Sequence, residues 1–286
     1  MKRRVIKQGA GGYTIYLPKE WIITNKIKEK DELDIKDTDQ GLIITPTTQS
    51  IKREITIKLK QETESRIRTL ISSAYKRGYD TIILEEQEKD IPSSTIQTII
   101  DSFLGLIISE QTEKTTIIKN ILSKDYEDTG AVINKLFNTT TYFCQLSLDI
   151  LQKKSKEQKE QAELKKSILK QRDYAQRAIA LKRYEGDKSY EYYTIVFLLE
   201  KICGNFNYTI ESQKTIKKET ATFLQGLIND LNELKKSLTT KNLELAINMN
   251  EQLSQKRKQS SKHGDNTAVI TDNIFSLSSR IVGVLV

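Results

Sequence analysis

The stretch "GAGGYTIYLPKEW", Gly9 to Trp21, decides how the chain begins to fold. Three glycines in four positions invite a phosphate-holding loop. A dinucleotide loop needs G-x-G-x-x-G, and a P-loop needs a lysine followed by Ser or Thr. Both also need a helix N-terminus directly after the glycines, where backbone N–H groups face the phosphate. Here Tyr13-Thr14-Ile15-Tyr16-Leu17 follows, alternating as a strand does. The glycines therefore turn the chain between two strands, and a nucleotide pocket is excluded.

Working outward, "RRVIKQ" (Arg3 to Gln8) lies before the turn and "YTIYLP" (Tyr13 to Pro18) after it, and both read as strands. Pro18 sits at a tolerated first helical position and opens a turn or two of helix in "PKEWIITNKI". "DELDIKD" and "GLIITP" alternate again, joined by the turn residues "TDQG" (Thr38 to Gly41). Residues 1–48 hold too few large apolar side chains to build a sufficient core alone. A second copy is the simplest partner for such a module. "PTTQS" (Pro46 to Ser50) reads as a linker.

Residues 52–124 have a different pattern. "REITIKL" reads as a strand, "TESRIRTLISSAYKRGY" as an amphipathic helix and "DTIILEE" as a strand. Gly78 stands where a helix C-terminal glycine is expected. Pro92-Ser93-Ser94 opens a second helix, "STIQTIIDSFLGLII", and "KTTIIKNIL" is a further strand. This βαβαβ order predicts a small sheet covered by helices. Residues 125–286 read as helical throughout. Val132, Leu136, Thr140, Phe143, Ser147 and Leu151 mark one stripe, and Phe223, Leu224, Leu227, Leu231, Leu234 and Leu238 another. Breaks near Ser155, Gly186-Asp187, Glu211-Ser212, Thr239-Thr240 and Ser260-Gly264 divide the region into about six helices, arranged as two three-helix units. The run "KKSKEQKEQAELKK" reads as a solvated helix face and turn, and "QKRKQSSKHG" as a basic interhelical loop. The fold class expected is multidomain α+β.

Composition narrows the function. The chain has 286 residues, 37% hydrophobic and 29% charged, as a soluble protein with much helical surface does. Its longest apolar runs, such as Ile195 to Leu199, fall far short of the ~20 residues that cross a bilayer. The basic N-terminus is followed by no apolar segment of the kind a signal peptide carries. A cytoplasmic protein without membrane insertion is expected. Cys144 and Cys203 are far apart without CxxC spacing, and His263 is the single histidine. Disulfide scaffolds, thiolate zinc sites and two-imidazole sites are thereby excluded. No His-centred dyad, G-x-S-x-G elbow or Cys–His pairing is present, so no enzyme and no cofactor are expected. The net charge is +8, and Lys2, Arg3, Arg4, Lys7 and Lys19 all precede the first acid, Glu20. That basic block suits contact with a phosphate backbone.

The order Lys7-Gln8-Gly9, "YTIYLPKEW", Lys30-Asp31-Glu32-Leu33 and "GLIIT" resembles the AbrB/SpoVT and MazE-type swapped-hairpin domain over about residues 2–46. The resemblance implies that two chains interleave hairpins into one β-barrel and bind double-stranded DNA through basic residues on one face. By position, Arg3, Arg4 and Lys7 are the contact candidates, with Lys2 and Lys19 in support. Gln8 and Tyr16 stand where the antitoxin branch often has arginines, so no sequence preference carries over. "SSAYKRGYDTIIL" and "IIDSFLGLIISEQTEKTTIIKNIL" look like the connector of archaeal phosphate-uptake regulators, which join an AbrB-like domain to a PhoU-like bundle. "LEKICGNFNYTIES" (Leu199 to Ser212) resembles a PhoU helix. PhoU-like proteins can hold metal on E/D-x-x-x-D carboxylates. Here Glu200 is followed by Gly204 and Asn205, and Asp173 by Gln176 at the usual second acid, with Arg177 retained. Asp187 and Glu191 keep the spacing but are one pair on a charged helix. No metal site is expected. The whole implies a homodimeric DNA-binding regulator of phosphate uptake or signalling. An adaptor whose barrel only dimerises, and whose bundle docks on a phosphate transporter or signalling protein, fits the same residues.

Overall fold

The computed structural model describes residues 2–9, 11–38, 41–46, 53–60, 63–86, 92–122, 129–182, 188–212 and 215–286. The chain divides into two units, Met1–Lys52 and Arg53–Val286. The linker residues 47–50, the centre of the Thr38–Gly41 turn and the break at Gly186-Asp187 lie outside the described residues.

The first unit is two antiparallel hairpins around a short helix. Strands β1 (Ile6–Gln8) and β2 (Gly12–Thr14) pair with Ile6 opposite Thr14 and Gln8 opposite Gly12. Gly9 takes φ +58°, the left-handed region that an L side chain enters only at a cost, so a glycine suits this tight return. Helix α1 (Lys19–Thr24) follows Pro18, which caps it rather than occupying its first position. Strands β3 (Leu33–Thr38) and β4 (Gly41–Pro46) pair along their whole length. The first two strands are shorter than their alternation predicts, because the paired register ends at Ile6 and Thr14. The two hairpins are separate sheets in the single chain.

The second unit begins with β5 (Glu54–Leu59), α2 (Glu64–Lys76), β6 (Thr81–Glu86), α3 (Ser93–Ile100), β7 (Leu106–Gln111) and β8 (Thr115–Asn120). The sheet order is β5-β6-β8-β7, with β5 parallel to β6 and the other pairs antiparallel. Thr63 caps α2 by accepting from the Arg66 amide. The second helix, expected to run through Leu106, Ile107 and Ile108, ends at Ile100, and those residues form an additional strand. Gly105, at φ +77°, turns the chain out of the helix. Ile107 and Ile108 then gain cross-strand partners in Lys119 and Ile118, which a short apolar run does not announce. Ile67, Ile71 and Tyr75 of α2 and Ile96, Ile99 and Ile100 of α3 pack on Ile82, Leu84 and Ile118 of the sheet.

Gly78 ends α2 at φ +87°, and a Cβ added there would lie 2.5 Å from Leu181 Cδ2. Gly78→Ala therefore meets both a backbone penalty and a packed neighbour. We expect it to lower the stability of the unit by about 2 kcal/mol, measurable by urea unfolding.

Six helices follow among the described residues: α4 (Thr129–Leu151), α5 (Gln158–Lys182), α6 (Lys188–Ser212), α7 (Lys218–Thr239), α8 (Leu243–Ser260) and α9 (Asp265–Leu285). Every position of the predicted α4 stripe is buried, as are Leu224, Leu227, Leu231 and Leu234 of α7. The two expected three-helix groups share one continuous core, because α6 packs on α9 and α4 on α7. "QKRKQSSKHG" is not a loop: Gln255 to Ser260 close α8, a single 3-10 turn covers Ser261–His263, and Arg257 pairs with Asp272 of α9 at 2.6 Å. Among the described residues one helix, α9, is long and apolar enough to cross a membrane by length and composition. Asp272 and Arg280 interrupt its apolar residues, so no unbroken apolar run marks α9 in the sequence. Its Ile270, Ile274, Leu277 and Ile281 are fully buried in the bundle core.

Candidate nucleic-acid interface

The basic residues singled out from sequence sit at the start of the first unit. Lys2, Arg3 and Arg4 lie in the extended segment before β1, Lys7 is the middle residue of β1, and Lys19 is the first residue of α1. All five are exposed, and none forms an ion pair with a described residue. The β1–β2 register puts Lys7 directly opposite Tyr13, so the two side chains share a face of the hairpin. No carboxylate precedes Glu20, so nothing in this segment offsets the cations.

The same unit leaves its apolar side chains uncovered. None of its described residues is buried. Tyr13 is 70% exposed, Tyr16 69% and Val5 63%, with Ile15, Ile23, Ile35 and Leu42 also more than half exposed. Apolar exposure of this extent marks an interaction surface. Lys30 adopts φ +72° just before β3, and the Lys28 amide donates to the Asp31 carboxylate at 2.8 Å. That left-handed residue before an aspartate is the geometry in which a glycine is favoured.

Asp173 and Glu200, the two surviving carboxylates weighed as metal ligands, are brought together by an arginine. Arg172 donates to Asp173 from Nε and its Nη2 lies 2.8 Å away, while its Nη1 is 3.7 Å from Glu200. Lys76 also stands 4.0 Å from the same Asp173 oxygen. Both carboxylates are thus paired with side-chain cations. Glu191 pairs with Arg280 at 3.4 Å, and Asp187 lies outside the described residues. Among the described residues no three His, Cys, Asp or Glu side chains gather around one point.

Both cysteines are buried and free. Burial pushes the Cys203 thiol up to about 12, and the nearby Glu200 charge adds to it. Burial also raises Cys144, with Cys203 contributing. A raised thiol favours the protonated, unreactive form. The folded protein is expected to resist Ellman's reagent at pH 8 and to release both thiols on denaturation. Because the unfolded Cys203 ionises near 9.0 and the folded one near 12, its contribution to stability is complete below pH 9. That contribution falls as pH rises through this window.

Residues 7–52, about a sixth of the chain, match the model of the family described as antidote-toxin recognition MazE, bacterial antitoxin. The first unit is thus similar to a MazE/AbrB-like domain over these residues. No curated protein and no solved structure matches the chain significantly. Sequence reasoning found the basic segment but missed two features of the second unit: the buried role of Arg177 and a line of exposed aromatic residues on α6. The heptad-like spacing of Tyr190, Tyr193 and Phe197 was the available signal for the second.

Proposed function

We propose that this protein is a homodimeric DNA-binding transcriptional regulator, acting in the cytoplasm and without a catalytic step of its own. Two chains pair through their N-terminal units, and the basic segments around β1 dock on the phosphate backbone. The observation that carries this reading is the MazE family match over residues 7–52, in a unit whose described residues bury no apolar side chain and expose Lys7 and Lys19, with Lys2, Arg3 and Arg4 exposed just before the matched stretch. Pairing supplies the missing core, and doubling the cations gives a surface with the charge density that duplex DNA attracts. The helical region serves as sensor or partner-binding module. Its proposed link to phosphate uptake or signalling, and to a phosphate transporter or signalling protein, rests on the likeness of Leu199 to Ser212 and of the sheet segments to archaeal phosphate-uptake regulators. Mobility shifts on DNA upstream of the protein's own coding sequence test the reading. Salt-sensitive binding by the full chain, lost on deletion of residues 1–48, is expected. Absence of any salt-sensitive shift overturns it, in favour of an adaptor that dimerises without DNA.

A further inference from the structure

Helix α6 is enclosed on most of its circumference, with Ile195, Val196, Leu199, Ile202, Cys203 and Phe206 all buried. One line of side chains stays in solvent. Tyr190, Tyr193, Phe197, Lys201 and Tyr208 recur at helical spacing on a single face, and the aromatic members are 65%, 42%, 42% and 58% exposed. Gly204 completes the line, with no atom within 4 Å of where its Cβ would be. Lys201 Nζ lies 5.2 Å from the centre of the Phe197 ring. Scattered exposed aromatics need no explanation, but four in one row form a patch.

The size of the patch selects its occupant. An aromatic side chain buries ~150–250 Å² in full, so four about half exposed offer roughly 400 Å² per copy. Two such ridges would bury about 800 Å², below the ~1,200 Å² at which stable interfaces begin. That is too little to retain a freely diffusing protein. It suffices when a second contact already holds the two surfaces at millimolar effective concentration. A second copy of this chain, joined through the N-terminal unit, meets that condition. We infer that the α6 ridges of two copies pack antiparallel against each other in the dimer, an inference that rests on the dimer proposed above. A two-fold crossing centred between Phe197 and Lys201 sets Tyr190 opposite Tyr208 of the second copy. It also sets each Lys201 ammonium over the second copy's Phe197 ring.

The full-length chain carrying Tyr190→Cys and Tyr208→Cys tests this. These positions are about 27 Å apart along one helix, far beyond disulfide reach, so any bond between them joins two chains. Mild oxidation at micromolar protein should convert most of the chain to a covalent dimer. A Lys262→Cys control, exposed elsewhere, should give little. A chain that sediments as a dimer but links no better than the control overturns the ridge contact and leaves the N-terminal dimer standing. That outcome includes a ridge covered by the chain's own N-terminal unit or by another protein. A chain that sediments as a monomer overturns the dimer itself and this inference with it. In parallel, Tyr193→Ser with Phe197→Ser, both only half buried, should raise the dimer dissociation constant about tenfold; an unchanged constant counts against the contact.

Discussion

Arg3→Ala combined with Arg4→Ala is expected to abolish DNA binding at moderate salt while leaving the chain dimeric. Both side chains are exposed, carry no ion pair among the described residues and lie before the first paired strand residue, Ile6. Their loss removes charge without removing packing. If the wild-type dimer neutralises about six phosphates, log K falls with a slope near −5 against log salt. The double variant takes four cations from the dimer, so the slope should drop to about −2. At ~0.1 M salt each lost contact costs about eightfold, so the four together amount to a loss of roughly four-thousandfold. Fluorescence anisotropy on a labelled duplex across a salt series measures both quantities. Unaltered affinity and slope would place the DNA-binding face elsewhere. Lys19→Ala should have a smaller effect, since it removes one cation per chain from the start of α1.

The sequence made the first unit legible because its signals are local. Glycine turns, a proline before a short helix and period-two alternation each report on a few neighbouring residues, and the hairpins appear where those signals stand. Strand ends were overestimated because alternation marks which residues can pair, not which ones find a partner in the same chain. The bundle was legible for a related reason: buried stripes on α4 and α7 repeat at 3.6 residues over several turns. The run from Leu106 to Ile108 was misread because three apolar residues fit a helix or a strand equally. Only the distant strand Thr115–Asn120 decides between them. The candidate metal carboxylates were found in sequence, but their neutralisation by Arg172 depends on α5 and α6 lying side by side. What depends on a partner far along the chain was not readable residue by residue.

Arg177 is the clearest case, and its removal should have the largest effect on stability. In sequence it is one more cation on a charged helix, noted only beside Asp173. In the structure it is fully buried, and its guanidinium joins α5 to the sheet region. Nη1 donates to the carbonyls of Tyr75 and Tyr79, and Nη2 to the Asp80 carboxylate, each at 2.8 Å. The guanidinium also lies 5.1 Å from the centre of the Tyr75 ring. These partners come from the end of α2 and the approach to β6, so one side chain fixes how the helical bundle meets the sheet. Arg177→Met fills much of the volume but removes this donor from the buried Tyr75 carbonyl and the part-buried Tyr79 carbonyl, and the guanidinium from Asp80. Breaking a buried pair from one side costs about 3–5 kcal/mol. For a unit of this size that corresponds to a fall in Tm of roughly 10 °C. Arg177→Lys should lose less, because it keeps the charge but cannot serve three acceptors with a planar fork. Part of the cost comes from removing the guanidinium that pairs with the Asp80 charge, while the Arg53 amide still donates to that carboxylate, so Asp80→Asn should be less harmful in the Met background than in the wild type. A double-mutant cycle by chemical denaturation resolves that coupling. A loss below about 1 kcal/mol for Arg177→Met would mean that apolar packing between α2 and α5 holds the two layers together without the pin.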